Sequence, residues 1–250
     1  MNKYLQSKLK TTAYIFEALL GNNGLDTKLM DRVRRGIEGG MTPDEIIDDL
    51  ERGWEADLEE VIGGIAAGKT AELSALGLSV RKSGVATYLY DKYTENIRAG
   101  IPHSKIPPPK VILEDYKTGL GEILKGQGRR LKLSEEVNAK LESLFMRRTA
   151  GTVFNTELQR LNRQAEADIV AAEAGVDQYM YWGIIIDTTR PFCIDLLNAP
   201  GPYTRDEIDR MVGPTSYMPV FEYCGGWNCQ HQWIAVNDDL AEEAREAPRM

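Results

Sequence analysis

No apolar run in this chain approaches the roughly 20 residues that a bilayer-spanning helix needs. The first ten residues, Met1-Asn-Lys-Tyr-Leu-Gln-Ser-Lys-Leu-Lys10, lack the apolar core of a secretory signal. Synthesis in a reducing, intracellular setting is therefore the expectation. Cysteine is scarce, and the 3 present are an odd number, which excludes a complete disulfide framework. Excess positive charge is lacking too. A net charge of −8 argues against non-specific nucleic-acid binding by the chain as a whole. What remains, 42% hydrophobic and 27% charged over 250 residues, is ordinary for a globular protein with one large core or two modest ones.

The scarce residue types are crowded together. Between Asp187 and Trp233 lie Cys193, Cys224, Cys229, His231, Trp227 and Trp233, with Trp182 just upstream. The stretch opens Asp187-Thr-Thr-Arg-Pro-Phe-Cys193 and closes Cys224-Gly-Gly-Trp-Asn-Cys229-Gln-His231-Gln-Trp233. Whatever is particular to this protein is expected there, with the rest as helical scaffold.

Residues 1–98 read as helical. Thr42-Pro43-Asp44-Glu45 combines an N-cap, a proline suited to the first turn and a capping-box glutamate. Ile46, Ile47, Leu50, Trp54, Leu58, Val61 and Ile62 then recur every three or four residues, the stripe of an amphipathic helix. Residues 99–133 form a proline-rich linker or arm with a short helix, because Pro107, Pro108 and Pro109 cannot continue a helix. His103 in that stretch reads as a solvated loop residue. From Ser134 helical spacing resumes through Val137, Leu141, Leu144, Phe154, Leu158, Leu161, Ala165 and Ile169, with Gly151 as a bend or close contact and Gly175 as C-cap.

After Gly175 the period changes. Tyr179 to Ile186 is aromatic and β-branched, as in a buried strand. Thr204-Arg-Asp-Glu207 is a second capping box that starts a helix through Met211, and Gln232–Val236 reads as a last strand. The fold class is thus α+β: a mostly helical N-terminal two-thirds, a long helix plus a small α+β module over 134–236, and a polar tail over 237–250, helical or extended.

Two motifs carry candidate chemistry. Gly63-Gly-Ile-Ala-Ala-Gly68-Lys69-Thr70 has the spacing of a phosphate-binding loop, and Gly183-Ile-Ile-Ile-Asp187 has the look of its magnesium-binding partner. Such a loop needs a strand before it, yet charged, helix-periodic residues precede Gly63. A helix end or helix–helix turn, with Gly63, Gly64 and Gly68 as small contact residues, is the expected structure. The second motif is Cys193, Cys224, Cys229 and His231, four ligands of the type and number that close a structural zinc site. Cys229 and His231, two apart on an expected strand, would face the same way. The paired spacings that make zinc motifs specific are missing, however. A nucleophilic site would instead pair Cys193 or Cys229 with His231 as base and Asp187 as orienter. The plainer alternative makes Gly225-Gly226 a tight turn, Trp227 and Trp233 core plates, and Asp187, Arg190, Asn228 and His231 hydrogen-bonding supports for irregular loops.

The order of these features over residues ~145–236 resembles the phage minor head protein family, the Mu F-like head morphogenesis family. The matching features are Arg148-Thr149 and Phe154-Asn155 on a long helix, Gly175, the aromatic strand, Asp187 to Cys193, Pro202-Tyr-Thr-Arg-Asp-Glu-Ile, and the Gly-Gly-x-Asn-Cys-x-His-x-Trp ending. The family carries Arg where this chain has Gln230. The resemblance implies a structural virion protein, made in the host cytoplasm and present in few copies at or near the portal vertex or neck. It implies contacts with portal, capsid or neck proteins, no enzymatic activity and no cofactor. A homo-oligomeric ring and contact with packaged DNA are further expectations, while no membrane role is expected. The DNA contact is motivated by the basic middle of the chain: Lys125, Arg129, Arg130, Lys132, Arg147, Arg148, Arg160 and Arg163. The readings held against this are a head–tail connector of the neck and a zinc-dependent or Cys/His enzyme.

Overall fold

The computed structural model describes residues 3–20, 25–79, 81–99, 109–125, 132–145 and 148–246. His103, Arg129, Arg130 and Arg147 lie outside the described residues, as do the side chains of Trp54, Leu58, Arg148, Thr149, Phe154 and Asn155.

Helices α1 (Lys3–Leu20) and α2 (Leu25–Glu38) precede a 33-residue helix, α3 (Pro43–Ala75). Its start is the one the sequence encodes. The Glu45 N–H donates to Thr42 Oγ1 at 3.3 Å, the Thr42 N–H donates to Glu45 Oε2 at 2.7 Å, and Pro43 takes the first turn. Its end at Ala75 is followed by Gly77, whose φ of +78° lets the Leu78 N–H turn back to the Leu73 carbonyl at 2.9 Å. Helix α4 (Lys82–Ala99) follows. Pro109 then opens α5 (Pro109–Lys125), which buries Tyr116, Leu120 and Leu124. The segment read as an arm with a short helix thus contributes 17 residues of packed helix.

Helices α6 (Glu135–Phe145) and α7 (Arg148–Ala165) divide the second helical region, and Gly151 lies within α7. The helix then widens into a π-helical segment (Glu166–Ala171) before a last turn, α8 (Ala172–Ala174). Gly175 ends it in the left-handed region at φ +65°, as its C-cap role required. Strand β1 (Gln178–Trp182) follows, then α9 (Pro191–Asn198), β2 (Tyr203–Thr204), α10 (Arg205–Asp209), α11 (Val220–Tyr223), β3 (Gln232–Val236) and α12 (Asp238–Glu246). The antiparallel sheet runs β2-β1-β3, with Tyr181 opposite Trp233. The described part of the tail forms α12, and it is not wholly solvated: Leu240 and Ala241 are buried.

One expectation fails here. The strand stops at Trp182, and Ile184, Ile185 and Ile186 are 45%, 49% and 47% exposed. Register explains the limit. β3 supplies five partners, from Val236 opposite Gln178 to Gln232 opposite Trp182, and pairing ends where β3 begins. Composition alone does not bury a segment that has no partner strand.

Among the described residues, two large apolar clusters fill most of the interior, with a small third around Met218 and Tyr223, and α3 and α7 belong to both large ones. Ile46 and Leu50 of α3 and Val153 of α7 pack with α2, α5 and α6. Ile62, Ile65, Ala66 and Leu73 of α3 join Leu158, Leu161 and Ala165 of α7, together with Tyr4, Leu5 and the sheet residues Tyr181, Trp233 and Ile234. The C-terminal sheet is therefore cored by the chain's first helix as well as by its own module.

Candidate functional site

The segment Gly63–Thr70 lies in the interior of α3, with no strand before it. It is neither a phosphate loop nor the helix end expected of it. A Cβ on Gly64 would collide with the Tyr14 ring, and one on Gly68 with Thr11, so these two glycines let α1 lie close against α3. Gly63 meets nothing and has no such role. Lys69 is fully buried. Its ammonium donates to Glu166 Oε2 at 2.8 Å and to Glu72 Oε2 at 3.2 Å, while Lys8 from α1 pairs with the same two carboxylates. Glu166 also accepts from the Tyr4 hydroxyl at 3.0 Å and from the Ala235 N–H of β3 at 2.8 Å. Burial alone would raise the Glu166 carboxyl, but Lys69, Lys8 and the Ala235 N–H bring it down to about 2. Two ammoniums facing two carboxylates make a neutral cluster that ties α1, α3, the π segment and β3 together.

The Cys/His site is built on α7. Arg163, 1% exposed, spreads its guanidinium over backbone carbonyls of the following module: His231 O at 2.7 and 3.0 Å, Glu222 O at 2.8 Å and Cys229 O at 2.5 Å. About two turns earlier, Thr156 Oγ1 accepts from the Asn228 N–H at 3.0 Å, and next to Arg163 the Asn162 Nδ2 donates to Gln232 Oε1 at 3.1 Å. These contacts fix a segment that no regular ladder could hold, since Cys224, Gly226 and Asn228 all have positive φ (50°, 93° and 56°). Gly225 and Gly226 form the tight turn the sequence implied. A Cβ on Gly225 would run into the Cys193 thiol. Arg190, the N-cap of α9, donates to Trp227 O at 2.7 Å and closes the turn from the other side. Trp233 is a core plate as expected, whereas Trp227 is only half-buried.

Within this frame Cys193, Cys229 and His231 come together, all buried, with their ligand atoms within 4.8 Å of one another. Cys193 arrives from the first turn of α9, and Cys229 and His231 from the segment that leads into β3. The thiol sulfurs lie 3.8 Å apart, and His231 Nδ1 lies 3.5 Å from Cys229 Sγ. The Tyr181 hydroxyl donates to Cys193 Sγ at 3.3 Å, the Gly225 N–H donates to Cys229 Sγ at 3.2 Å, and the His231 ring stacks on Tyr181 at 5.5 Å. Of the expected four, Cys224 stands apart only in that its sulfur is not among those that all lie within 4.8 Å of one another. It is buried beside Cys229.

The three thiols are not equivalent. Hydrogen bonds from Cys193 and Cys224, with His231 and the Arg163 charge close by, hold the Cys229 thiol well below its ordinary range despite burial. Its hydrogen bond to Cys229 together with burial pushes Cys193 up, and burial does the same for Cys224 and for the Tyr181 hydroxyl. Cys193, Cys229 and His231 line a cleft of about 280 Å³ with Ile184, Ile186, Thr189, Arg190 and Gln230. Asp187 is exposed and is not part of that lining, and the polar contact of Nδ1 is the Cys229 thiol, so the expected Asp187–His231–Cys arrangement is not formed.

The basic stretch is also partly reassigned. Arg160 pairs with Glu222 at 2.7 Å and Glu157 at 3.3 Å, and Arg163 is enclosed by carbonyls, so neither faces a partner. Lys125 and Lys132 are exposed. Comparison with protein-family models, with curated proteins and with solved structures gives no match for this chain.

Proposed function

We infer that this chain is a structural virion protein of a tailed phage, a minor head protein at or near the portal vertex or neck that works through protein–protein contacts. The observation that carries the reading is the convergence of several of the motifs on which the family resemblance rests. Cys193 of the Asp187–Cys193 turn, the Gly-Gly-x-Asn-Cys-x-His-x-Trp ending and the long helix α7 pack into one unit, with Arg163 bonded to the backbone of that ending. A second feature favours contact with another protein. Ile184, Ile185 and Ile186 present exposed apolar side chains beside the cleft, a surface that solvent alone does not explain. The partner proposed for it is the portal ring.

Co-expression with a tailed-phage portal protein from the genome that encodes this chain tests the reading, and a genome without one would count against it. The full chain is expected to copurify with portal rings, and Ile185→Asp to abolish this with the melting temperature unchanged. Failure of the wild-type chain to associate with portal, capsid or neck proteins would overturn it.

A further inference from the structure

We propose that Cys193, Cys229 and His231 form a zinc site whose fourth coordination position is turned towards the cleft. The first support is metric. In a tetrahedral site with Zn–S of about 2.3 Å and Zn–N of about 2.0–2.1 Å, ligand atoms are separated by about 3.8 Å for two sulfurs and about 3.6 Å for sulfur and nitrogen. The chain places the two sulfurs 3.8 Å apart and the sulfur and nitrogen 3.5 Å apart. The third pair, Cys193 and His231, closes the triangle within 4.8 Å.

The second support is the histidine. Its Nε2 is buried and has no hydrogen-bond partner among the described residues, so the ring engages the protein through the nitrogen that faces Cys229. Turning the ring over exchanges the nitrogens and leaves the same deficit. A metal bond at Nδ1 replaces the weak thiol contact of that nitrogen and leaves Nε2 to carry the ring proton. Gly183 makes room for it, because a Cβ there would strike the His231 ring.

The third support is the surroundings. Metal-bound thiolates are oriented by donors in the next layer, and here the Gly225 N–H and the Tyr181 hydroxyl each point at a different sulfur. Two thiolates and an imidazole suit zinc over hard cations, which prefer oxygen. Three protein ligands opening on a cleft leave water as the fourth. The site is independent of the virion reading, because zinc uptake by the isolated chain tests one and particle association tests the other.

Elemental analysis of the purified full-length chain, followed by replacement with Co²⁺, tests the proposal. About one zinc per chain is expected, and the cobalt form should show thiolate charge-transfer bands with the intense visible bands of tetrahedral coordination. Cys193→Ser, Cys229→Ser and His231→Gln are each expected to weaken zinc binding more than about 100-fold, and Tyr181→Phe about 10-fold. Cys224→Ser should retain both the metal and the spectrum. A wild-type chain that takes up neither metal, or that joins Cys193 to Cys229 as a disulfide instead, would overturn the site. Loss of metal in Cys224→Ser as complete as in Cys229→Ser would overturn the three-residue assignment. The wild-type measurements decide the matter even where a variant fails to fold.

Discussion

Replacing Glu166 by Gln removes one charge from the cluster that joins the N-terminal helices to the C-terminal sheet. The amide keeps an oxygen for the Tyr4 hydroxyl and the Ala235 N–H, but its NH₂ then faces the ammoniums of Lys8 and Lys69. Glu72 alone must balance two buried positive charges. The size of the effect follows from the pKa. A carboxyl held at about 2 rather than 4.5 contributes about 3 kcal/mol at neutral pH, and breaking a buried pair costs about 3–5 kcal/mol. The sign is fixed as well. Because the folded-state pKa is depressed, this stability is fully present above pH 4.5 and is lost as pH falls towards about 2. Urea unfolding followed by circular dichroism is therefore expected to show a loss of about 3–5 kcal/mol at pH 7, with a shallower decline than wild type below pH 4.5. Combining the change with Lys8→Met should recover part of the loss, since both halves of one pair are then gone. A loss under about 1 kcal/mol, or an unchanged acid slope, would refute the reasoning.

Glu157 behaves with the opposite sign. Burial outweighs Arg160 and lifts its carboxyl to about 7, so its contribution is favourable below pH 4.5 and is lost as pH rises through 7. Glu157→Gln should accordingly raise stability by up to about 3 kcal/mol at pH 8 and by under about 1 kcal/mol at pH 5 in the same unfolding assay. Gly225→Ala is expected to destabilise by about 1–3 kcal/mol in thermal melts, because the added methyl must displace the Cys193 thiol. Lys69→Ala should lower the melting temperature sharply, while ATP with Mg²⁺ shifts the melting of neither wild type nor variant, since this ammonium is enclosed by carboxylates.

Local signals were read well from the sequence. Thr42 and Thr204 cap their helices through the expected glutamates, Gly175 takes the left-handed region, and β3 spans Gln232–Val236 as its composition indicated. Long-range pairing was not legible in the same way. Tyr179 to Ile186 is uniformly suited to a strand, but the length of β3 decides where pairing stops, and that is set more than 45 residues away. The phosphate-loop spacing misled about the end of a helix and about Gly63, while Gly64 and Gly68 serve a helix contact that their spacing also fits. A usable signal for the buried cluster was present. Lys69 and Glu72 occupy the apolar stripe that Ile62, Ile65, Ala66 and Leu73 continue, and a charge on such a stripe calls for a buried partner. Lys8 and Glu166 could not be paired with them without the fold. In the Cys/His site the residue types identified the participants, but Cys224 and Cys229 could be separated only by the turn geometry between them.

Locating the chain in assembled particles tests its assignment to the virion most directly. Any particles that the genome encoding this chain yields on induction would be purified and imaged by electron cryomicroscopy without imposed icosahedral symmetry, with the protein content measured in parallel. The expected result is a few copies confined to the portal vertex or neck, with the Ile184–Ile186 loop against a neighbouring protein. Mature and immature particles that both lack the chain would contradict it.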